Sequence, residues 1–295
     1  MIYALNGTLV DPNSFTDELT KGIETNGGSL ILIEEYTATW CQVCAEIEPD
    51  VKELASINDD RVALIALHPA DGIDNLGNYA SSKRILSLFN GSVKQTPTFV
   101  IDGEVAFEGA PVMNLLNSKI LETQSKKSNY TEISLSVKRI NNTINFEIEL
   151  DSTSSGIINI MIIENEVTSD SFDGLRKFDN VLKEMISINV SDENLISGTS
   201  EWVFEINKSD SKTMISAIYY INGDINLEKL GFVASHEIQN ENSTSINGAV
   251  KIIQGVKESN NNYHIIGIFA IFFSLGIFAS LGLLENKNKS YDENE

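Results

Sequence analysis

The chain has 295 residues, of which 42% are hydrophobic, and a formal net charge of −21. That length suggests two domains, and acid spread along the chain with no basic stripe disfavours nucleic acid and anionic lipid surfaces as partners. Two cysteines and three scattered histidines (His68, His236 and His264) cannot supply the four ligands of a structural zinc site, so no metal is expected.

The first strong element is the apolar run Leu30 to Ile33, which reads as a strand buried on both faces of a sheet. The run from Ala45 to Ile57 then places Ile47, Val51, Leu54 and Ala55 at helical spacing. Pro49 lies inside that helix and should kink it, because it has no N–H to donate. At the junction stands Trp40-Cys41-Gln42-Val43-Cys44, which holds both cysteines of the chain. Unpaired N–H groups and the positive dipole end at a helix N-terminus favour thiolate over thiol, and the thiolate is the nucleophile of disulfide exchange. Cys41, nearer the helix start and the surface, is expected to attack, and Cys44, one turn in, to resolve the mixed disulfide. The other reading of the spacing is a structural disulfide, although a bridge closing so short a loop stabilises only weakly. The next strand, Arg61 to Leu67, ends at His68. If parallel to the first strand, it brings His68 to the sheet edge that carries the cysteines, where a part in substrate contact or proton transfer stands against a surface-loop histidine.

Residues 29 to 57 resemble the thioredoxin superfamily: an apolar strand, an acid six residues before the first cysteine, Trp-Cys-x-x-Cys, and a proline five residues after the second. Gln95-Thr-Pro-Thr-Phe-Val-Ile-Asp-Gly103 resembles the cis-proline loop of the same family. The resemblance covers roughly residues 1 to 125 and implies a thioredoxin-like α/β fold there. It implies that Glu35 is a buried acid behind Cys44, where the family more often has Asp. A carboxyl desolvated in an apolar strand has a raised pKa and can exchange a proton with Cys44; alternatively Glu34 faces inward and Glu35 faces solvent, since strand neighbours point opposite ways. The resemblance further implies that Thr96-Pro97 is cis and presents a backbone edge to the substrate chain, against an ordinary turn proline. It places Trp40 over the active-site surface, against simple core packing. Gln42-Val43 stands where typical thioredoxins carry Gly-Pro, which leaves the direction of electron flow open.

Composition changes after a helix expected from Pro111 to about Gln124. All five prolines and both cysteines precede residue 112, and Ser125 to Asn129 forms a polar hinge. Period-two alternation follows in Ile133 to Val137, Ile144 to Leu150, Glu201 to Ile206 and Met214 to Ile221, with an apolar run from Gly156 to Ile163 and a stretch from Phe172 to Met185 ambiguous between helix and strand. This predicts an all-β, immunoglobulin-like sandwich over 126–235 with no chemistry of its own. The predicted division is a thioredoxin-like domain over 1–125, the sandwich over 126–235, a flexible linker over 236–263, a transmembrane helix over 264–284 and a polar tail over 285–295. Ile265 to Leu284 is twenty residues without a charge, long enough at ~1.5 Å per residue to cross a bilayer. Lys287 and Lys289 just after it favour a cytoplasmic tail and a single-pass protein whose domains face the exterior. The first residues carry neither a basic region nor a long apolar stretch. Either the start is missing, the favoured expectation, or the protein is tail-anchored with its domains in the cytoplasm.

The resulting expectation is a membrane-anchored thiol–disulfide oxidoreductase acting on protein or small thiols. It needs no cofactor beyond the Cys41–Cys44 disulfide, an unidentified electron donor or acceptor resets it, and the lipid bilayer holds residues 265–284. The alternative is a redox-inert envelope protein whose sandwich binds a partner.

Overall fold

The computed structural model describes residues 7–11, 13–92, 94–151, 154–222, 225–240 and 243–254. In chain order these form β1 (Gly7–Val10), α1 (Phe15–Lys21), β2 (Ile23–Gly27), β3 (Ile31–Tyr36), α2 (Gln42–Ile57), β4 (Val62–Leu67), α3 (Tyr79–Leu88), β5 (Thr98–Ile101), β6 (Glu104–Glu108) and α4 (Met113–Lys126). There follow β7 (Ile133–Ile140), β8 (Thr143–Asp151), β9 (Ile157–Glu164), β10 (Val167–Ser171), β11 (Gly174–Phe178), β12 (Val181–Asn189), β13 (Asn194–Ser197), β14 (Trp202–Lys208), β15 (Lys212–Tyr220), a 3-10 turn at Leu227–Lys229, β16 (Leu230–Asn240) and β17 (Ser243–Gln254).

Between β3 and α4 the strands and helices read from the sequence are present, joined by α3 and β6. β3 lies between β4, which is parallel to it across the α2 crossover, and β5, which is antiparallel. Ile31 and Ile33 pack under α2 and α4 with Val51, Leu116 and Ile120. Leu30 and Leu32 join Ala80 of α3 in a different cluster. A strand covered on both faces has no polar side to show, which is why its sequence is continuously apolar.

Among the described residues the sheet does not stop there. Its strands run in the order β1-β17-β16-β9-β12-β4-β3-β5-β6, with β13 on β12. β12 joins β4 in parallel at Val181 and Ala66, and the Ala66 N–H donates to the Asn180 carbonyl at 2.8 Å. Strand pairing therefore crosses the boundary expected between residues 125 and 126, and the described residues form one compact unit. A second sheet, β14-β15-β8-β7-β2, packs over the β1–β12 part of the first. The later half thus has two facing sheets, as expected of a sandwich, but one of them is shared with the α/β layer. The shared core centres on Phe232, whose ring meets Phe15 at 6.4 Å and Phe146 at 5.6 Å; such pairs add ~1 kcal/mol each beyond burial. β9 is buried at every position, with Ile158, Ile160 and Ile162 in the sandwich and Met161 and Ile163 against the α3 layer.

Two expectations change. β1, α1 and β2 do not belong with the α/β layer: β1 pairs with β17 and β2 with β7, and Phe15 and Leu19 of α1 fill the sandwich core. The expected linker from 236 is strand as far as Gln254, because Ile246, Ala249, Val250 and Ile252 bury against neighbouring strands. In β17 the polar Ser243 and Asn247 are exposed. The ambiguous segment from Phe172 resolves as the end of a β10–β11 hairpin followed by β12. Among the described residues no helix is long and apolar enough to cross a membrane, and the expected span at 264–284 lies outside them.

Candidate functional site

The chain leaves β3 at Tyr36 and enters α2 at Gln42, so the cysteines stand at the strand-to-helix junction. Cys41 is the N-cap residue of α2, and its Sγ accepts the Cys44 N–H at 3.2 Å. The two cysteines are joined as a disulfide. Sequence reasoning expected Cys41 to be the more accessible sulfur. In the structure they are 6% and 4% exposed, and it is Gln42 and Val43 between them that face solvent. What separates the pair is position: Cys41 caps the helix, whereas Cys44 lines a small pocket of about 30 Å3.

Glu35 faces that cavity. Burial, aided by the negative charge of Glu48, raises its pKa from 4.5 to about 8, against smaller opposing effects of a Thr37 hydrogen bond and the Lys52 charge. Glu34, its strand neighbour, is also buried, on the opposite face, where Arg84 of α3 grips both of its oxygens at 2.6 and 2.8 Å. The choice between Glu34 and Glu35 thus resolves as both inward, because both faces of β3 are covered.

His68 is not the surface-loop residue that was one of its two readings. It is fully buried and lines the same cavity as Cys44 and Glu35. Its Nδ1 lies 2.9 Å from Asp74 Oδ2, and its ring meets Phe178 edge-on at 5.6 Å. Asp74 also accepts the N–H groups of Thr39 and Leu76 at 2.9 and 2.8 Å. Burial pushes the Asp74 carboxyl up, but the His68 hydrogen bond and charge and these two amides outweigh it and hold Asp74 below the usual carboxylate range. An ionised Asp74 only accepts, so the proton of that bond sits on His68 Nδ1. His68 Nε2 is buried with no hydrogen-bond partner among the described residues.

Thr96-Pro97 is a cis peptide bond. Thr98 pairs with Tyr36, which sets Pro97 beside the end of β3 where the cysteine segment begins. Pro97 is buried, Thr96 half-buried, and the Pro97 carbonyl accepts the Gly109 N–H at 2.8 Å. Trp40 is 41% exposed, with its indole N–H donating to Asp71 at 2.9 Å, so it is a surface residue and not core packing.

Sequence reasoning gave the later half of the chain no part in this site, yet the β10–β11 hairpin grips it. The Phe172 N–H and the Ser171 hydroxyl both donate to the Thr39 carbonyl, at 2.9 and 3.2 Å. Pro49 cannot return a hydrogen bond to Ala45, and the carbonyl thus freed accepts Arg176 at 2.7 Å. Lys52 completes the attachment through the Lys177 carbonyl at 2.9 Å and Asp179 at 3.1 Å. The one available signal was Pro49, which announces a carbonyl in need of an outside donor.

Fold and site together define a mostly β protein whose thioredoxin-like layer carries a Cys-x-x-Cys disulfide. No family model and no curated protein matches the chain. Among solved structures it is similar to HBP35 of Porphyromonas gingivalis, with 14% identity over 79% of each chain and a TM-score of 0.60. This is a likeness of fold that reaches across both halves. Thioredoxin-family chains are also among its structural neighbours. Chloroplastic thioredoxin z has 15% identity and a TM-score of 0.26 over 42% of this chain and 98% of its own. Oxidised thioredoxin O2 from Arabidopsis thaliana has 21% identity and a TM-score of 0.24 over 40% and 94%.

Proposed function

We propose that the chain is a thiol–disulfide oxidoreductase working through Cys41 and Cys44. The observation that carries this reading is the disulfide at the start of α2, with one sulfur opening onto a cavity that also holds a buried, high-pKa carboxyl. In the reducing direction, the Cys41 thiolate attacks a substrate disulfide, forms a mixed disulfide and expels the first substrate sulfur as thiolate. Cys44 then displaces the second, and the bridge closes. In the oxidising direction an incoming thiolate attacks Cys41 and Cys44 leaves, with Glu35 placed to protonate it. Thr96, Pro97 and Trp40 border the segment and form the docking edge for an extended protein substrate. An electron donor or acceptor of unknown identity resets the pair. The full reading adds a single-pass anchor at 265–284 with the domains on the exterior, the tail-anchored, cytoplasmic arrangement being its rival.

The near-complete burial of both sulfurs favours a second reading, in which the bridge is structural and the sandwich binds a partner. Titration of the protein against glutathione buffers, followed by Trp40 fluorescence, separates the two. A reversible two-electron transition between roughly −280 and −100 mV is expected, with exchange abolished in Cys41→Ser and a trapped mixed disulfide in Cys44→Ser. A bridge that stays closed across that range selects the structural reading.

A further inference from the structure

We infer that His68, fixed by Asp74, is the group that takes the Cys44 proton when Cys44 closes the bridge. This rests on the exchange reaction proposed above and adds a residue to it. Four features lead there. His68 is fully buried. Its Nδ1–H is committed to Asp74, which leaves the lone pair on Nε2. That Nε2 has no partner among the described residues, and the ring borders the cavity onto which Cys44 opens. The cavity measures about 30 Å3, and a water needs roughly 10–15 Å3, so there is space for water to carry a proton between Cys44 and Nε2.

At neutral pH Glu35 leaves room for a second proton acceptor. A carboxyl with a pKa of about 8 is ionised in only about one molecule in ten at pH 7 and otherwise already holds its proton. The other charged groups around the cavity are Glu48 and Lys52 from α2 and Asp179 from the turn after β11, with Asp74 behind the ring. The step balances as follows. The Cys44 S–H proton passes to His68 Nε2, and the Cys44 sulfur bonds to the Cys41 sulfur. The S–S bond between Cys41 and substrate breaks, and its electron pair leaves on the substrate sulfur, which departs as thiolate. The cysteine pair is oxidised and the substrate sulfur reduced.

The test uses the full chain, reduced and then mixed with 5,5′-dithiobis(2-nitrobenzoate) in stopped flow. Attack by Cys41 releases one coloured thiolate, and closure by Cys44 releases a second. His68→Asn keeps a donor toward Asp74 and removes Nε2. At pH 7 it is expected to slow the second release about 100-fold, the scale of general-base catalysis, and to leave the first within threefold. The deficit should shrink above pH 8 as Glu35 ionises, a pH profile that a merely structural role would not produce. Equal second-phase rates in wild type and variant from pH 5.5 to 9 overturn the inference while leaving the exchange reading intact; a wild type that never makes the second release overturns both. Nitrogen-15 NMR of the wild-type imidazole gives an answer that does not depend on a variant folding. A bare Nε2 whose shift moves on reduction of the bridge is expected, and a protonated Nε2 at neutral pH, or a shift indifferent to reduction, overturns the assignment.

Discussion

Glu35→Gln should make the protein more stable, and increasingly so as pH rises. An unfolded chain holds the Glu35 proton with a pKa near 4.5, the folded protein with one of about 8. Between those values the native state binds one more proton than the unfolded state, so stability falls as pH rises and the loss is complete above about pH 8. At 1.36 kcal/mol per tenfold, the whole gap amounts to about 5 kcal/mol, and relaxation around a buried charge brings the expected figure to about 3–5 kcal/mol. Glutamine has the same shape and never ionises, so the variant escapes this penalty. Any cost of seating its amide is the same at every pH. The assay is urea unfolding of both proteins, disulfide intact, at pH 5, 7 and 9. The stability difference should move in favour of the variant by about 2–4 kcal/mol from pH 5 to pH 9, with about two thirds of that present by pH 7. A difference that stays flat within ~1 kcal/mol would show that Glu35 ionises freely, and the account of the cavity as a desolvated site would fall.

Two further perturbations probe what holds the site in place. Arg84→Met strips the guanidinium from Glu34 and Glu237 and leaves two carboxylates buried; thermal and urea unfolding should show a loss of about 3–5 kcal/mol, as for other broken buried ion pairs. Gly77→Ala places a methyl 2.0 Å from the Pro69 carbonyl oxygen, on backbone that cannot swing aside, so unfolding should show a loss of about 1–3 kcal/mol, the usual scale of overpacking.

The parts of the site legible in the sequence are local. The apolar run of β3, the Cys-x-x-Cys spacing, the start of α2 and the Thr96-Pro97 turn each span a few residues whose chemistry dictates their conformation. The sequence left open which of Glu34 and Glu35 faces inward, because strand alternation decides it only where one face is exposed, and here both faces are covered. What stayed hidden depends on pairing between distant segments. Nothing in Gly7–Val10 announces β17 as its neighbour, and the polar residues around 240 conceal two long strands whose apolar positions make sense only inside a sheet. The partner of the Ala45 carbonyl is an arginine 131 residues further on. His68 was legible as a residue at the right edge of the sheet. Its burial was not, because Phe178, which covers it, arrives from the hairpin.

The shared sheet also sets a timetable for synthesis. The segment that will hold the cysteines leaves the ribosome early, but β4 has no neighbour on its outer edge until Val181 exists, and β1 has none until Lys251 does. At roughly 5–20 residues per second, on the order of 10–50 s separate the first strand from its partner. During that interval the unpaired edges and apolar faces of β3 and β4 stand open to other nascent chains. For the same reason, residues 1–125 are not a self-contained piece: cut out, they would carry an unfinished edge on β4 and three elements whose neighbours had been left behind.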